Sequence, residues 1–211
     1  MLEMLKMKRT PAEIESRRSG ITEQLLLESS DINSPRLASI STEDLRLLFE
    51  LYDESFFRNW FRNHYKGKMK FSLSEKMTSS AGKTLCPKDI RKIRPEALVL
   101  EIRIGVDFFL YYGQLGENNT VCGIRTDNSL KALLLVFEHE LCHVIEFLLF
   151  GKSSCRGARF KTIAANLFGH SESCHKLPTN KQIASKALGF RIGDAVSFRY
   201  NEGRLTGRLY N

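Results

Sequence analysis

The stretch from Leu130 to Phe150 constrains this chain more than any other. It is the longest apolar run in the sequence, yet Glu138, His139, Glu140, His143 and Glu146 interrupt it. Several ionisable groups at that depth would be costly in hydrocarbon, so the run reads as a buried helix and not as a membrane span. Asp127-Asn128-Ser129 offers the N-cap and Gly151 the C-terminal stop. Within this helix His139-Glu140-Leu141-Cys142-His143 places two histidines four residues apart, on one face, where both imidazoles can reach one metal ion. Glu140 projects from the adjacent face. It can take a proton from activated water without ligating, so His139 and His143 are the candidate zinc ligands and Glu140 the candidate catalytic base of a metallopeptidase. Ionisable groups in so apolar a setting need partners, which argues against a chance spacing on a surface helix.

The remainder of the 211 residues reads as one buried domain with appendages. Residues 1–40 are polar and Ser-rich, and are expected to be a mobile N-terminal arm with at most a short helix at Thr22–Glu28. Residues 41–176 form the main domain. Ser41 or Thr42 caps a helix over about 42–62, whose stripe of Leu45, Leu48, Phe49, Tyr52, Phe56, Phe57 and Trp60 is core. His64, at its basic end, reads as a C-terminal cap and not as a ligand. From Lys68 to Val121 short β-rich runs and turn residues predict two or three strands of a small antiparallel sheet, with a helix around Asp107–Leu115. A second helix follows at Ala158–Phe168, closed by Gly169. Residues 177–211 are a basic C-terminal β segment with strands at Ala195–Tyr200 and Arg204–Tyr210. They match the opening of an SH3-like or KOW-type barrel, a pattern of low specificity.

The net charge of +8 is uneven. Of 32 Lys and Arg against 24 Asp and Glu, 11 against 3 lie beyond Phe150, so the first 150 residues balance. A basic tail on a neutral body suggests an anionic partner, DNA before a membrane surface, although solubility alone also accounts for such a tail. Lys186, Arg191, Arg199, Arg204 and Arg208 are the candidate phosphate contacts. Tyr200 and Phe198 could stack on bases, although Phe198 is better suited to a core. Five cysteines, odd in number and never in a Cys-x-x-Cys pair, argue against a disulfide scaffold or zinc ribbon and fit a reducing, cytoplasmic setting. The sequence sets no oligomeric state.

Together these residues resemble the SprT-like metallopeptidases, the family that includes bacterial SprT and eukaryotic Spartan. The likeness spans about residues 42–176. It rests on the aromatic first helix, on Met77-Thr78-Ser79-Ser80-Ala81-Gly82, on the β-rich Leu98–Ile104 and on the His139–His143 helix. It implies a compact α+β, zincin-like domain with the active-site helix packed on a small sheet. It also implies zinc-dependent hydrolysis of protein substrates, in Spartan of proteins crosslinked to DNA. The family's third zinc ligand is usually the histidine of a His-Gly-x-x-Phe motif. Here that stretch is Arg156-Gly157-Ala158-Arg159-Phe160, and an arginine stays protonated and cannot ligate. Cys155, one residue earlier, can serve as a thiolate ligand. His170 or His175 can fold back, although His170 lies about 21 Å from Arg156 along a straight helix. The third alternative is a catalytically degenerate domain that acts as a nucleic-acid-binding module.

Overall fold

The computed structural model describes residues 7–113, 119–179, 182, 189–191, 193–201 and 203–210. Helix α1 (Pro11–Glu28) opens the fold. Thr10 and Glu13 form a reciprocal capping box, Thr10 Oγ1 accepting from Glu13 N at 3.3 Å and Glu13 Oε2 accepting from Thr10 N at 2.8 Å. Pro11 occupies the first helical position, where its missing N–H costs nothing. Ile14, Arg18, Ile21 and Leu25 are buried on one face. A segment expected as a mobile arm is thus a capped helix with an inward face. Residues 29–40 continue along the body, where Ile32 and Leu37 are buried and Leu37 N donates to Ser129 Oγ at 2.7 Å.

The aromatic helix is shorter than its stripe suggests. Helix α2 (Thr42–Phe57) begins with a Ser41–Asp44 capping box and stops at Arg58 and Asn59, both in the left-handed region with φ of 56° and 58°. The chain then turns into a single helical turn, α3 (Trp60–His64). Asp53 explains the break, because its carboxylate accepts from Phe61 N at 2.9 Å and Arg62 N at 2.8 Å and so caps α3. Tyr52, Phe56, Phe57 and Phe61 are all buried core. His64 Nδ1 lies 3.0 Å from Trp60 O, in keeping with a helix-end role.

The main sheet has three strands, β1 (Lys68–Ser74), β2 (Gly82–Leu85) and β3 (Val99–Gly105), in the order β1-β3-β2. It is mixed, not antiparallel: β1 runs parallel to β3, and β2 antiparallel to it. The reason is the link 75–81, which passes over the end of β3 and delivers β2 to its far side instead of folding back as a hairpin. Leu100, Ile102 and Ile104 of β3 are buried, while Glu101 and Arg103 pair with each other and with Ser72 on the opposite face. A single helical turn, α4 (Asp107–Leu110), follows; the rest of the helix expected to Leu115 falls partly outside the described residues.

Helix α5 (Ser129–Phe150) lies against this sheet, capped by Asn128 (Oδ1 to Lys131 N, 2.8 Å) and ended by Gly151 at φ 69°. Its bounds and those of α6 (Ala158–Phe168), ended by Gly169, agree with the sequence reading. Gly82 lets β2 approach α5, since a Cβ there would lie 2.7 Å from Glu140 Oε1 and 2.8 Å from Val136 Cγ1. A second small sheet joins β4 (Thr120–Val121), β5 (Ile124–Arg125) and β6 (His175–Lys176) in the order β5-β4-β6. Strands β7 (Ala195–Tyr200) and β8 (Gly203–Arg208) make the C-terminal hairpin. The fold class is α+β. Among the described residues no helix is long and apolar enough to cross a membrane.

Candidate metal centre

Four residues of helical separation bring His139 and His143 together as their spacing requires. Their Nε2 atoms face each other at 3.2 Å, and Phe160 of α6 packs against both rings with centroids 4.8 and 4.6 Å away. Ligand nitrogens 2.0–2.1 Å from a tetrahedral metal lie about 3.3 Å apart, so this separation fits a shared ion.

The tautomer of His143 follows from its neighbours. Ser153 donates its single O–H proton to Glu146 Oε2 at 2.7 Å, so Ser153 Oγ is left to accept from His143 Nδ1–H at 2.6 Å. The Nε2 lone pair is therefore free to ligate. Glu146, one turn along α5 and buried, is held in turn by Ser154 N at 3.0 Å and Arg159 Nε at 2.7 Å. These bonds fix the loop between α5 and α6, which carries Cys155. The ligand atoms of His139, His143 and Cys155 all lie within 4.8 Å of one another. Gly157 N donates to Ser154 O at 2.9 Å across a turn that leaves Arg156 exposed.

A second group, His139, Glu140 and His175, meets the same 4.8 Å limit. These five side chains could hold a metal ion. His175 comes from β6, far along the chain, and only its pairing with β4 (Val121 opposite His175) brings it here. No local spacing marks it. Between the rings sits the buried Cys122, whose Sγ is 3.6 Å from His139 Nδ1 and 3.9 Å from His175 Nδ1. Cys122 and Gly123 both have positive φ (53° and 79°), as a two-residue hairpin turn of the primed type requires, and Cys122 is an unusual occupant.

His170, the other sequence candidate, does not reach the centre. Gly169 turns the chain at the end of α6, and His170 enters the core, where its Nε2 lies 2.8 Å from Glu138 Oε2. Glu138 also receives Arg18 Nε and Nη2 at 2.7 and 2.8 Å and Tyr52 Oη at 2.9 Å. Burial alone would raise the Glu138 carboxyl, but Arg18 and His170 hold it below the usual range.

Burial sets the charge states at the centre. It pushes His139 down to about 2, helped by the neighbouring His175 and His143, and pushes His143 and His175 down to about 4. Neutral imidazoles are the form that ligates metal. Burial also pushes the Glu140 carboxyl up to about 7, against the Thr84 hydroxyl, which donates to Glu140 Oε2 at 2.7 Å and pulls it down. The centre forms one wall of a cavity of about 540 Å³, bordered by Ser80, Lys83, Phe108, Phe147 and Leu177. β2, whose one sheet neighbour among the described residues is β3, forms its edge.

The basic candidates lie elsewhere. In the hairpin Arg199 stands opposite Arg204 and Ala195 opposite Arg208, which puts the three arginines on one exposed face. Arg204 Nη2 donates to Ser197 Oγ at 2.8 Å on that face. On the other, Phe198 faces Leu205 and is 55% exposed, so it does not fill the core role expected of it. Arg191 is exposed, and Lys186 lies outside the described residues. Comparisons with protein-family models, with curated proteins and with solved structures each returned no match.

Proposed function

We propose that this chain is a zinc peptidase of the SprT-like kind, with a single zinc ion held by His139, His143 and Cys155 and with Glu140 as its base. The observation that carries the reading is the 3.2 Å approach of His139 Nε2 and His143 Nε2, with Cys155 Sγ in the same cluster and Glu140 on the same helical turn. Two imidazoles and a thiolate suit zinc better than calcium or magnesium, and three protein ligands leave a fourth position open. When bound, the metal supplies a Lewis acid that polarises a carbonyl and acidifies water.

The protein's own groups do the rest. Glu140 accepts a proton from the attacking water as its oxygen bonds to the peptide carbon, then returns that proton to the amide nitrogen as the C–N bond breaks. Burial raises this carboxyl in the metal-free chain, and a dication beside it would draw it back toward the ionised form that a base requires. Thr84 orients it. Among the described residues the outer edge of β2, which lines the cavity, pairs with no strand, and its backbone groups suit an extended peptide, which supports a protein substrate over a small one. Five cysteines with no disulfide among the described residues support a reducing, cytoplasmic setting. The test is casein hydrolysis by the zinc-loaded chain. Glu140→Gln should retain about one zinc and the folded circular-dichroism spectrum but lose cleavage by at least about a hundredfold. Unchanged cleavage would remove Glu140 from the mechanism.

A second reading, a catalytically degenerate domain that binds nucleic acid, draws on the arginine face of the hairpin. Arg199 directly opposite Arg204 is unfavourable without an anion between them. DNA recruitment is compatible with peptidase activity, and the two are separated by whether Glu140→Gln alters function.

A further inference from the structure

We infer that His175 donates a hydrogen bond to the oxygen of a carbonyl group presented at the metal centre, and so acts as a catalytic residue beside Glu140. The inference rests on the metal centre of the reading above. His175 clusters with Glu140 and His139, whereas the proposed ligand trio is His139, His143 and Cys155; the two sets meet only at His139. His175 also lines the cavity. It is therefore a polar group beside the ligands, on the wall where a substrate would lie.

We take the order of protons around Cys122 that makes this ring a donor at Nε2. For His139 to ligate through Nε2, its Nδ1 must carry the proton, and Nδ1–H then points at Cys122 Sγ, 3.6 Å away. The thiol, already accepting there, has its own S–H proton free for His175 Nδ1 at 3.9 Å. His175 then carries its proton on Nε2, the nitrogen turned away from the buried thiol. A preorganised N–H is what a developing oxyanion needs. The backbone that carries the ring is held in place. β6 pairs with β4, Cys122 N donates to Cys174 O at 2.8 Å, and Ser171 N and Glu172 N both donate to Cys122 O at 3.1 Å. A Cβ on Gly123, whose φ is 79°, would lie 2.0 Å from Ser171 Oγ and 3.1 Å from Glu172 N, so glycine lets this turn seat against residues 171–172. The left-handed Cys122 is thus held where its thiol bridges the two rings.

The test uses the full chain loaded with zinc, and acetohydroxamate as the probe, with affinity read by titration calorimetry. His175→Phe keeps the ring's bulk and removes the donor, and should weaken acetohydroxamate binding by about tenfold or more with zinc content unchanged. His175→Asn, which restores a donor, should recover part of that loss. On casein, kcat should fall with KM nearly constant in His175→Phe. Unchanged hydroxamate affinity in His175→Phe overturns the inference. So does loss of zinc in either variant, which would make His175 a ligand. A wild-type chain that binds zinc and acetohydroxamate but cleaves no protein ends the peptidase reading, while the donor role is still decided by the affinity series. A wild-type chain that binds no zinc overturns both.

Discussion

Ser153 Oγ accepts a hydrogen bond from His143 Nδ1 at 2.6 Å while donating its own proton to Glu146 Oε2 at 2.7 Å. One hydroxyl thus ties a candidate ligand histidine to a buried carboxylate and decides which ring nitrogen keeps a lone pair for a metal. Because Cys155 lies two residues further on, the same anchor sets two of the three proposed ligands.

Removing that anchor should loosen the metal without unfolding the chain. Ser153→Ala is expected to weaken zinc affinity by about 10–100-fold, measured by chelator competition. Glu146→Gln should act in the same direction. An unchanged affinity in Ser153→Ala would show that the hydroxyl only fills space.

Arg18 is the test of how α1 belongs to the fold. It meets Glu138, which immediately precedes His139, in a bidentate pair with both side chains buried. Arg18→Met leaves a buried carboxylate with only Tyr52 and His170 as partners, and should cost about 3–5 kcal/mol in urea unfolding. A cost below about 1 kcal/mol would return residues 11–28 to the status of a loose arm.

Acid should destabilise the metal-free chain. Burial puts His143 and His175 at about 4 and His139 lower, against an ordinary value of 6.5. As the pH falls below 6.5 the unfolded chain takes up these three protons and the folded one does not, so stability is lost toward about 4. Glu140, raised from 4.5 to about 7, works the other way, binding its proton in the folded chain first. Three groups outweigh one, and the urea midpoint should fall steadily over that window. A midpoint that holds or rises on acidification would contradict this assignment of charge states.

The hairpin arginines give a separate prediction. Replacing Arg199, Arg204 and Arg208 with Gln should lower DNA affinity and reduce the slope of log K against log salt by about 0.9 for each phosphate that is no longer neutralised. Equal affinity and slope would leave the basic face as a solvated surface.

What is legible in the sequence is local. Asn128 and Gly151 bracket α5, Ala158 and Gly169 bracket α6, and the four-residue interval of His139 and His143 needs nothing beyond a helix. Helix α1 is hidden because Arg18 stands in its apolar stripe and breaks the period; its partner Glu138 is 120 residues away. Thr10-Pro11-Ala12-Glu13 does carry a readable cap. The stop at Arg58 and Asn59 has no glycine to announce it, and depends on Asp53 capping the next turn. His175 reads from sequence only as an alternative third ligand, since its place beside Glu140 depends on strand pairing between residues more than fifty apart. Cys155 and His170 both stand as alternatives in the sequence, with His170 the more distant along a straight helix. The turn at Ser154–Gly157 brings the first inward, and Gly169 sends the second to Glu138.

The account turns on Cys155, and zinc K-edge X-ray absorption of the loaded full-length chain examines it most directly. The predicted shell has one sulfur at about 2.3 Å and two imidazole nitrogens at about 2.0–2.1 Å, with the sulfur lost in Cys155→Ser. A first shell of nitrogen and oxygen alone in the wild-type chain would contradict the proposed centre.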